Sequence, residues 1–252
     1  VSKPDDNDQG VRSFHPSPDA GVRLICFPHA GGSAPFYFPV SAKLSPDIEV
    51  LSLQYPGRQD RRKEPLIDNI SDLADELLDV LTPWTDRPFA LFGHSMGAIL
   101  AFEVALRLDR KLGRVPVHVF VSGRRAPTQL RQESVHEQDD DGLIADLKTL
   151  SGTDSMIFGD DELMRMVLPV IRNDYQAAET YVVEDGAKLG CPITALTGDS
   201  DAKTTVDEAR GWADHTTSAF DIEVYPGGHF YLVNHIDEVL GVIRDRLAVT
   251  VK

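Results

Sequence analysis

The chain has 252 residues, 42% of them hydrophobic, and 40 acidic against 25 basic side chains give a formal net charge of −15. That apolar content is enough for a sizeable core and excludes a disordered chain, while the acidic balance argues against nucleic acid or an anionic membrane as partner. No run approaches the roughly 20 apolar residues of a membrane helix and the first residues lack a signal-peptide core, so a cytoplasmic protein is expected.

In chain order, residues 1–20 read as a polar tail with a possible edge strand at 11–15. Residues 22–27 and 48–53 are short apolar runs with the character of buried strands, the first followed by a Gly-rich turn. Residues 70–81 place Ile70, Leu73, Leu77, Leu78 and Leu81 at helical spacing, with Ser71 near the start. A strand at 89–92, a helix at 96–108 and strands at 117–122, 192–197 and 220–225 follow, and an amphipathic helix at 235–247 closes the chain. Strands alternating with helices predict an α/β fold, a mostly parallel sheet with helices on both faces, in one domain over 21–252. From about 124 to 190 the rhythm breaks: an acidic run at 139–141 precedes two helical patterns, roughly 142–150 and 161–181. So long an insertion predicts a helical lid over the C-terminal edge of the sheet. Cys26 and Cys191 lie in apolar runs with no motif spacing and read as small buried hydrophobes, neither a disulfide nor metal ligands.

Chemistry concentrates where predicted strands end. Gly93-His94-Ser95-Met96-Gly97 sits between a strand and a helix and matches the nucleophile elbow of α/β-hydrolases, where the tight turn excludes side chains at the glycines. A serine hydroxyl is a weak nucleophile that needs a base held by a third group, and in this fold the chain order is serine, acid, histidine. Of eight histidines, His229 and His235 lie downstream of a plausible acid and past the last predicted strand. His229 directly follows the last strand, in Gly227-Gly228-His229-Phe230, whereas His235 borders the final helix. The acid is expected in Gly198-Asp199-Ser200-Asp201, where either aspartate fits; Asp207 and Asp221 fit worse, inside a helix and a strand. For the oxyanion, Pro28-His29-Ala30-Gly31-Gly32 follows the first buried strand and supplies the Ala30 amide, and the residue after the nucleophile supplies the Met96 amide.

Together these segments, with Gln54-Tyr55-Pro56-Gly57-Arg58, resemble the type II thioesterases that accompany polyketide and nonribosomal peptide synthases. The Tyr-Pro-Gly-Arg element is the most discriminating, since generic esterases share the elbow without it. The resemblance selects Asp201 as the acid. It implies a free-standing thioesterase that hydrolyses acyl groups from the phosphopantetheine arm of acyl or peptidyl carrier proteins, through an acyl-serine, as editing of stalled or aberrant chains. No metal or other cofactor is expected, since the substrate brings the phosphopantetheine.

Two further expectations concern surfaces. Arg58, Arg61 and Arg62 follow one strand and Arg124 and Arg125 another, which suggests a basic rim for an acidic carrier. Met156, Phe158, Met164 and Met166 lie in the insertion, and Met156 and Phe158 in particular suggest an adaptable acyl pocket, with ordinary helix core as the competing reading. Competing functions are a carboxylesterase or lipase acting on oxygen esters with the same triad, an inactive module that only holds an acyl carrier, and acyl transfer to a nucleophile other than water.

Overall fold

The computed structural model describes residues 10–151 and 161–250. In chain order it contains β1 (Val11–Arg12), β2 (Arg23–Phe27), α1 (Phe38–Leu44), β3 (Glu49–Leu53), α2 (Ile70–Leu81), β4 (Phe89–His94) and α3 (Met96–Leu112). Then follow β5 (His118–Ser122), α4 (Asp140–Ser151), α5 (Asp161–Glu179), β6 (Ile193–Gly198), α6 (Val206–Arg210), β7 (Phe220–Tyr225), α7 (Tyr231–Asn234) and α8 (Ile236–Thr250). The strands form one sheet in the order β1-β3-β2-β4-β5-β6-β7. β1 is antiparallel to β3 and all other pairs are parallel.

Every residue of β2 through β6 is buried. That is why these strands read as continuous apolar runs without alternation: helices cover both faces of a parallel sheet. Against one face α2 and α3 pack Leu73, Leu77, Ile99, Phe102 and Val104. On the other, α1 and α8 contribute Leu44, Val239, Leu240, Ile243 and Leu247. The chain passes from β2 outward to β3, then returns to place β4 on the other side of β2. The loops after β2 and β4 therefore diverge toward opposite faces, and a crevice opens between them at the carboxyl ends of the strands, where such sheets bind ligands.

Several boundaries differ from the sequence expectation. The edge strand is only Val11–Arg12, paired with Leu53 and Ser52. The cap of α2 is Asn69, whose side-chain oxygen accepts from the Ser71 and Asp72 amides at 2.8 and 3.2 Å. The seven-residue α1 was not anticipated, because its length gives too few turns for a periodic signal. Between β5 and β6, α4 and α5 pack Leu143, Met164, Leu168 and Ile171 into a small cluster of their own with Val135.

Candidate active site

Ser95 stands between β4 and α3 at φ 55° and ψ −118°, a left-handed conformation costly for a residue with a side chain. Close packing enforces it. A Cβ on Gly93 would lie 2.5 Å from the Ala98 nitrogen, and one on Gly97 2.7 Å from the Pro28 carbonyl oxygen. The Ser95 amide donates to the Ser122 carbonyl at 2.8 Å, which ties the turn to the end of β5. With the backbone fixed, Ser95 is left half-buried at the mouth of the crevice.

His229 and Asp201 meet across two other strand ends. His229 Nδ1 lies 2.8 Å from Asp201 Oδ2, with His229 3% and Asp201 7% exposed. Nδ1–H donating to the carboxylate leaves Nε2 as the free basic nitrogen. Asp201 Oδ1 also accepts the Lys203 amide at 2.8 Å. Asp199, the competing acid, is exposed and turned away: it accepts the Gly227 amide at 3.0 Å and the Ser200 hydroxyl at 2.8 Å. Those bonds hold its carboxyl below the usual range, the Gly227 amide most of all. His235 sits outside the site, its Nε2 3.1 Å from the Pro226 carbonyl. Asp207 and Asp221 are exposed and ion-paired with Arg210 and Arg246.

The other side of the crevice is the loop after β2. Met96 begins α3, so its amide belongs to the helix's first turn and has no intrahelical acceptor. Ala30 lies on the facing loop, which is braced from below. The Tyr37 hydroxyl donates to the Phe27 carbonyl at 2.8 Å and the Tyr55 hydroxyl to the Pro28 carbonyl at 3.0 Å. Gln54 Oε1 accepts the Ala34 amide at 3.2 Å.

Sequence reasoning passed over three further groups. His94 is fully buried, with its ring 5.0 Å from His229 and 5.9 Å from His29. The Ser122 hydroxyl joins His94 Nδ1 at 2.9 Å to the Tyr231 hydroxyl at 2.6 Å. Burial above all, and then repulsion from His229 and His29, hold His94 well below the ordinary imidazole range. His29 is lowered to about 3, again chiefly by burial. The wall against His229 is thus made of neutral rings. The third group is Asp174, wholly buried on α5. Its signal was present in the sequence, as a carboxylate on the same helical face as Met164, Leu168, Ile171, Ala177 and Ala178.

The basic rim requires correction. Arg58 is buried and ion-paired with Asp174, and Arg61 is buried among Glu64, Glu76 and the Gln54 carbonyl. Arg125 is buried against Glu133 and donates to the Lys203 carbonyl at 3.2 Å. Arg124 is half-buried and donates to the Ala178 carbonyl of α5 at 3.1 Å, its guanidinium lowered to about 10 by burial and by Arg125. Only Arg62 of the five is exposed. The guanidiniums fold inward onto carboxylate and carbonyl partners, some local, such as Glu64 and Glu133, and others from distant segments, such as Asp174 and Ala178. In the insertion, Met164 is 3% and Met166 72% exposed, so Met164 is helix core; Met156 and Phe158 lie outside the described residues.

A thioesterase-domain family model matches residues 22–247. The chain is 53% identical over 229 residues to the probable cadicidin biosynthesis thioesterase of Streptomyces griseus, covering 91% of this chain and 63% of that protein's length. It is 47% identical to the thioesterase PikA5 of Streptomyces venezuelae, covering 95% of this chain and 86% of the other. Among solved structures, the type II thioesterase BorB from the borrelidin cluster superposes with a TM-score of 0.89 at 50% identity, over 94% of this chain and 97% of that one. The RedJ thioesterase of the prodiginine pathway in Streptomyces coelicolor gives 0.87 at 33% identity, over 98% and 96%. The order of the sheet, the strained serine turn and the match across residues 22–247 agree, and the chain belongs to the thioesterase family, on the α/β-hydrolase fold.

Proposed function

We propose that this chain hydrolyses acyl thioesters carried on the phosphopantetheine arm of acyl or peptidyl carrier proteins, as a free-standing editing enzyme of polyketide or nonribosomal peptide biosynthesis. The observation that carries the chemistry is the buried His229–Asp201 bond of 2.8 Å, with the His229 ring 5.0 Å from that of His94, the residue before the serine of the strained turn. Ser95 Oγ attacks the thioester carbonyl while its proton passes to His229 Nε2. The oxyanion is received by the Ala30 and Met96 amides, and Asp201 stabilises the imidazolium. The C–S bond breaks and the thiolate leaves with the proton from His229. Water, deprotonated by the same nitrogen, then attacks the acyl-serine, and collapse returns the proton to Ser95 and frees the carboxylic acid. The carrier-bound substrate is supported by the relatives, which are named for cadicidin, borrelidin and prodiginine biosynthesis. A cytoplasmic setting fits the same reading, and no helix among the described residues is long and apolar enough to cross a membrane.

The test is mass spectrometry of acyl-phosphopantetheinyl carrier protein incubated with wild type and with Ser95→Ala. Loss of the acyl group with wild type alone supports the proposal. Carriers that keep their acyl groups while a simple oxygen ester is cleaved would place the enzyme among carboxylesterases.

A further inference from the structure

Asp174 has no part in the cycle above, yet it is 0% exposed and bonded to the loop after β2. A buried carboxylate is costly unless its charge is paired and its oxygens are bonded. Both conditions are met by groups that lead to the oxyanion loop. One oxygen, Oδ2, accepts the Gly31 amide at 2.7 Å and also the Arg58 guanidinium. The other, Oδ1, accepts from Asn173 at 3.2 Å. Arg58 is fixed in turn, donating to the Pro56 carbonyl at 2.7 Å and lying over the Tyr55 ring at 5.0 Å. One turn earlier on α5, Ile171 fills the space in front of Gly31, where a Cβ would lie 2.6 Å from its Cγ1.

We infer that Arg58 and Asp174 are positioning residues for the oxyanion hole. As a charge-neutral buried pair they fasten the Gly31 peptide to α5 and so orient the adjoining Ala30 N–H. This inference rests on the reading of Ala30 as an oxyanion donor to an acyl-serine reaction. The sign of the charges matters to it. Asp174 alone would set a negative charge one peptide from the place where the oxyanion develops and would oppose it. Arg58 cancels that charge while leaving the carboxylate free to hold Gly31. The 54–58 segment thereby acquires a function: Gln54, Tyr55 and Arg58 each reach the 28–34 loop, the first two directly and the third through Asp174.

The charge argument separates positioning from plain structural support. Arg58→Met leaves Asp174 uncompensated, whereas Arg58→Met combined with Asp174→Asn removes both charges and keeps an oxygen that can accept the Gly31 amide. Steady-state kcat and KM are measured on an acyl-N-acetylcysteamine thioester, with thermal melting to confirm folding and Ser95→Ala as control. Deleting one oxyanion donor costs about 10²- to 10³-fold in kcat, and a misaimed donor opposed by a charge is expected to cost about 10²-fold. Arg58→Met should therefore lose about 10²-fold in kcat with KM changed by less than about threefold, and the double variant should regain about tenfold. Should Arg58→Met not fold, Arg58→Lys carries the test, with an expected loss of about tenfold in kcat at unchanged KM. A folded variant with wild-type kcat, a loss in KM alone, or a double variant no faster than Arg58→Met overturns the inference. Full activity of Ser95→Ala would instead overturn the acyl-serine reading itself, so the two failures are distinguishable.

Discussion

Asp201 and His229, the acid and base of the proposed triad, are carried by separate loops, and their 2.8 Å contact depends on how closely two backbones pass. At the end of β6, a Cβ on Gly198 would lie 2.5 Å from the Gly228 carbonyl oxygen, and the Gly227 carbonyl is closer still. An ordinary carbon–oxygen contact is at least 3.4 Å, so Gly198→Ala forces the loop carrying His229 away from that carrying Asp201 by about 1 Å. The three atoms nearest the methyl group are all backbone, so no side-chain rotation relieves the clash. A misplacement of about 1 Å costs on the order of 10²-fold in rate, about 2.7 kcal/mol of transition-state stabilisation. The assay is kcat/KM on a soluble acyl thioester by thiol release, alongside the rate of Ser95 labelling by a fluorophosphonate, both on protein shown to be folded by its melting curve. Gly228→Ala is the companion, since its nearest backbone contact would be 3.9 Å and its activity should stay within about threefold of wild type. A folded Gly198→Ala enzyme with wild-type kcat/KM would refute the claim that this approach sets the histidine–aspartate geometry.

Two other outcomes follow from the site and the core. Asp201→Asn should lower kcat by about 10⁴-fold, because an amide can hold the wrong imidazole tautomer, while Asp199→Asn should stay within about tenfold; equal losses on a thioester assay would reopen the choice of acid. His118, bonded to Thr194 at 2.8 Å, is lowered from 6.5 to about 4, chiefly by burial, with Arg246 adding to the shift and Asp221 opposing it. It folds neutral but takes a proton when unfolded below about pH 6.5, so its stabilising share is complete above that pH and is lost as pH falls toward about 4. His118→Gln should accordingly show a shallower fall in melting temperature between pH 7 and 4.5, and an unchanged slope would count against the linkage.

Legibility in the sequence tracked how local each signal was. The helix at 70–81 and the strand at 220–225 could be read to the residue because their periodicity and their bounding turns lie within the segment itself. The serine turn was equally legible, since Gly93 is demanded by Gly97 and Ala98 of the same turn, although the constraint on Gly97 comes from Phe27 and Pro28 at the end of β2. The choice between Asp199 and Asp201 was not local. It depends on which carboxylate points toward a histidine 28 residues beyond Asp201, and in isolation both follow β6 equally well. Burial of arginines was the least legible of all. Arg58 looks like part of a solvated basic run until Asp174 arrives from 116 residues away on α5, and nothing in the run itself reports that partner. A carboxylate on the apolar face of α5 was the mark that could have disclosed the pair.

The inward turn of these arginines changes what electrostatics can do for a carrier protein. A surface charge attracts an approaching partner over about a Debye length, whereas one neutralised inside the protein contributes little beyond it. Arg58, Arg61 and Arg125 each face a carboxylate within the fold, and the chain as a whole carries a formal charge of −15. Attraction of an acidic carrier would make kcat/KM fall steeply with salt, because screening removes the steering. With the exposed Arg62 and Lys63 as the cations left on that stretch of surface, kcat/KM for an acyl-carrier substrate should instead stay flat, or rise as mutual repulsion is screened, between about 50 and 500 mM NaCl. Arg62→Glu should shift it by no more than about threefold at low salt. A tenfold fall over that range, abolished by Arg62→Glu, would show that one exposed guanidinium steers the carrier despite the acidic whole. The soluble N-acetylcysteamine thioester, which carries no protein charge, supplies the baseline against which either slope is read.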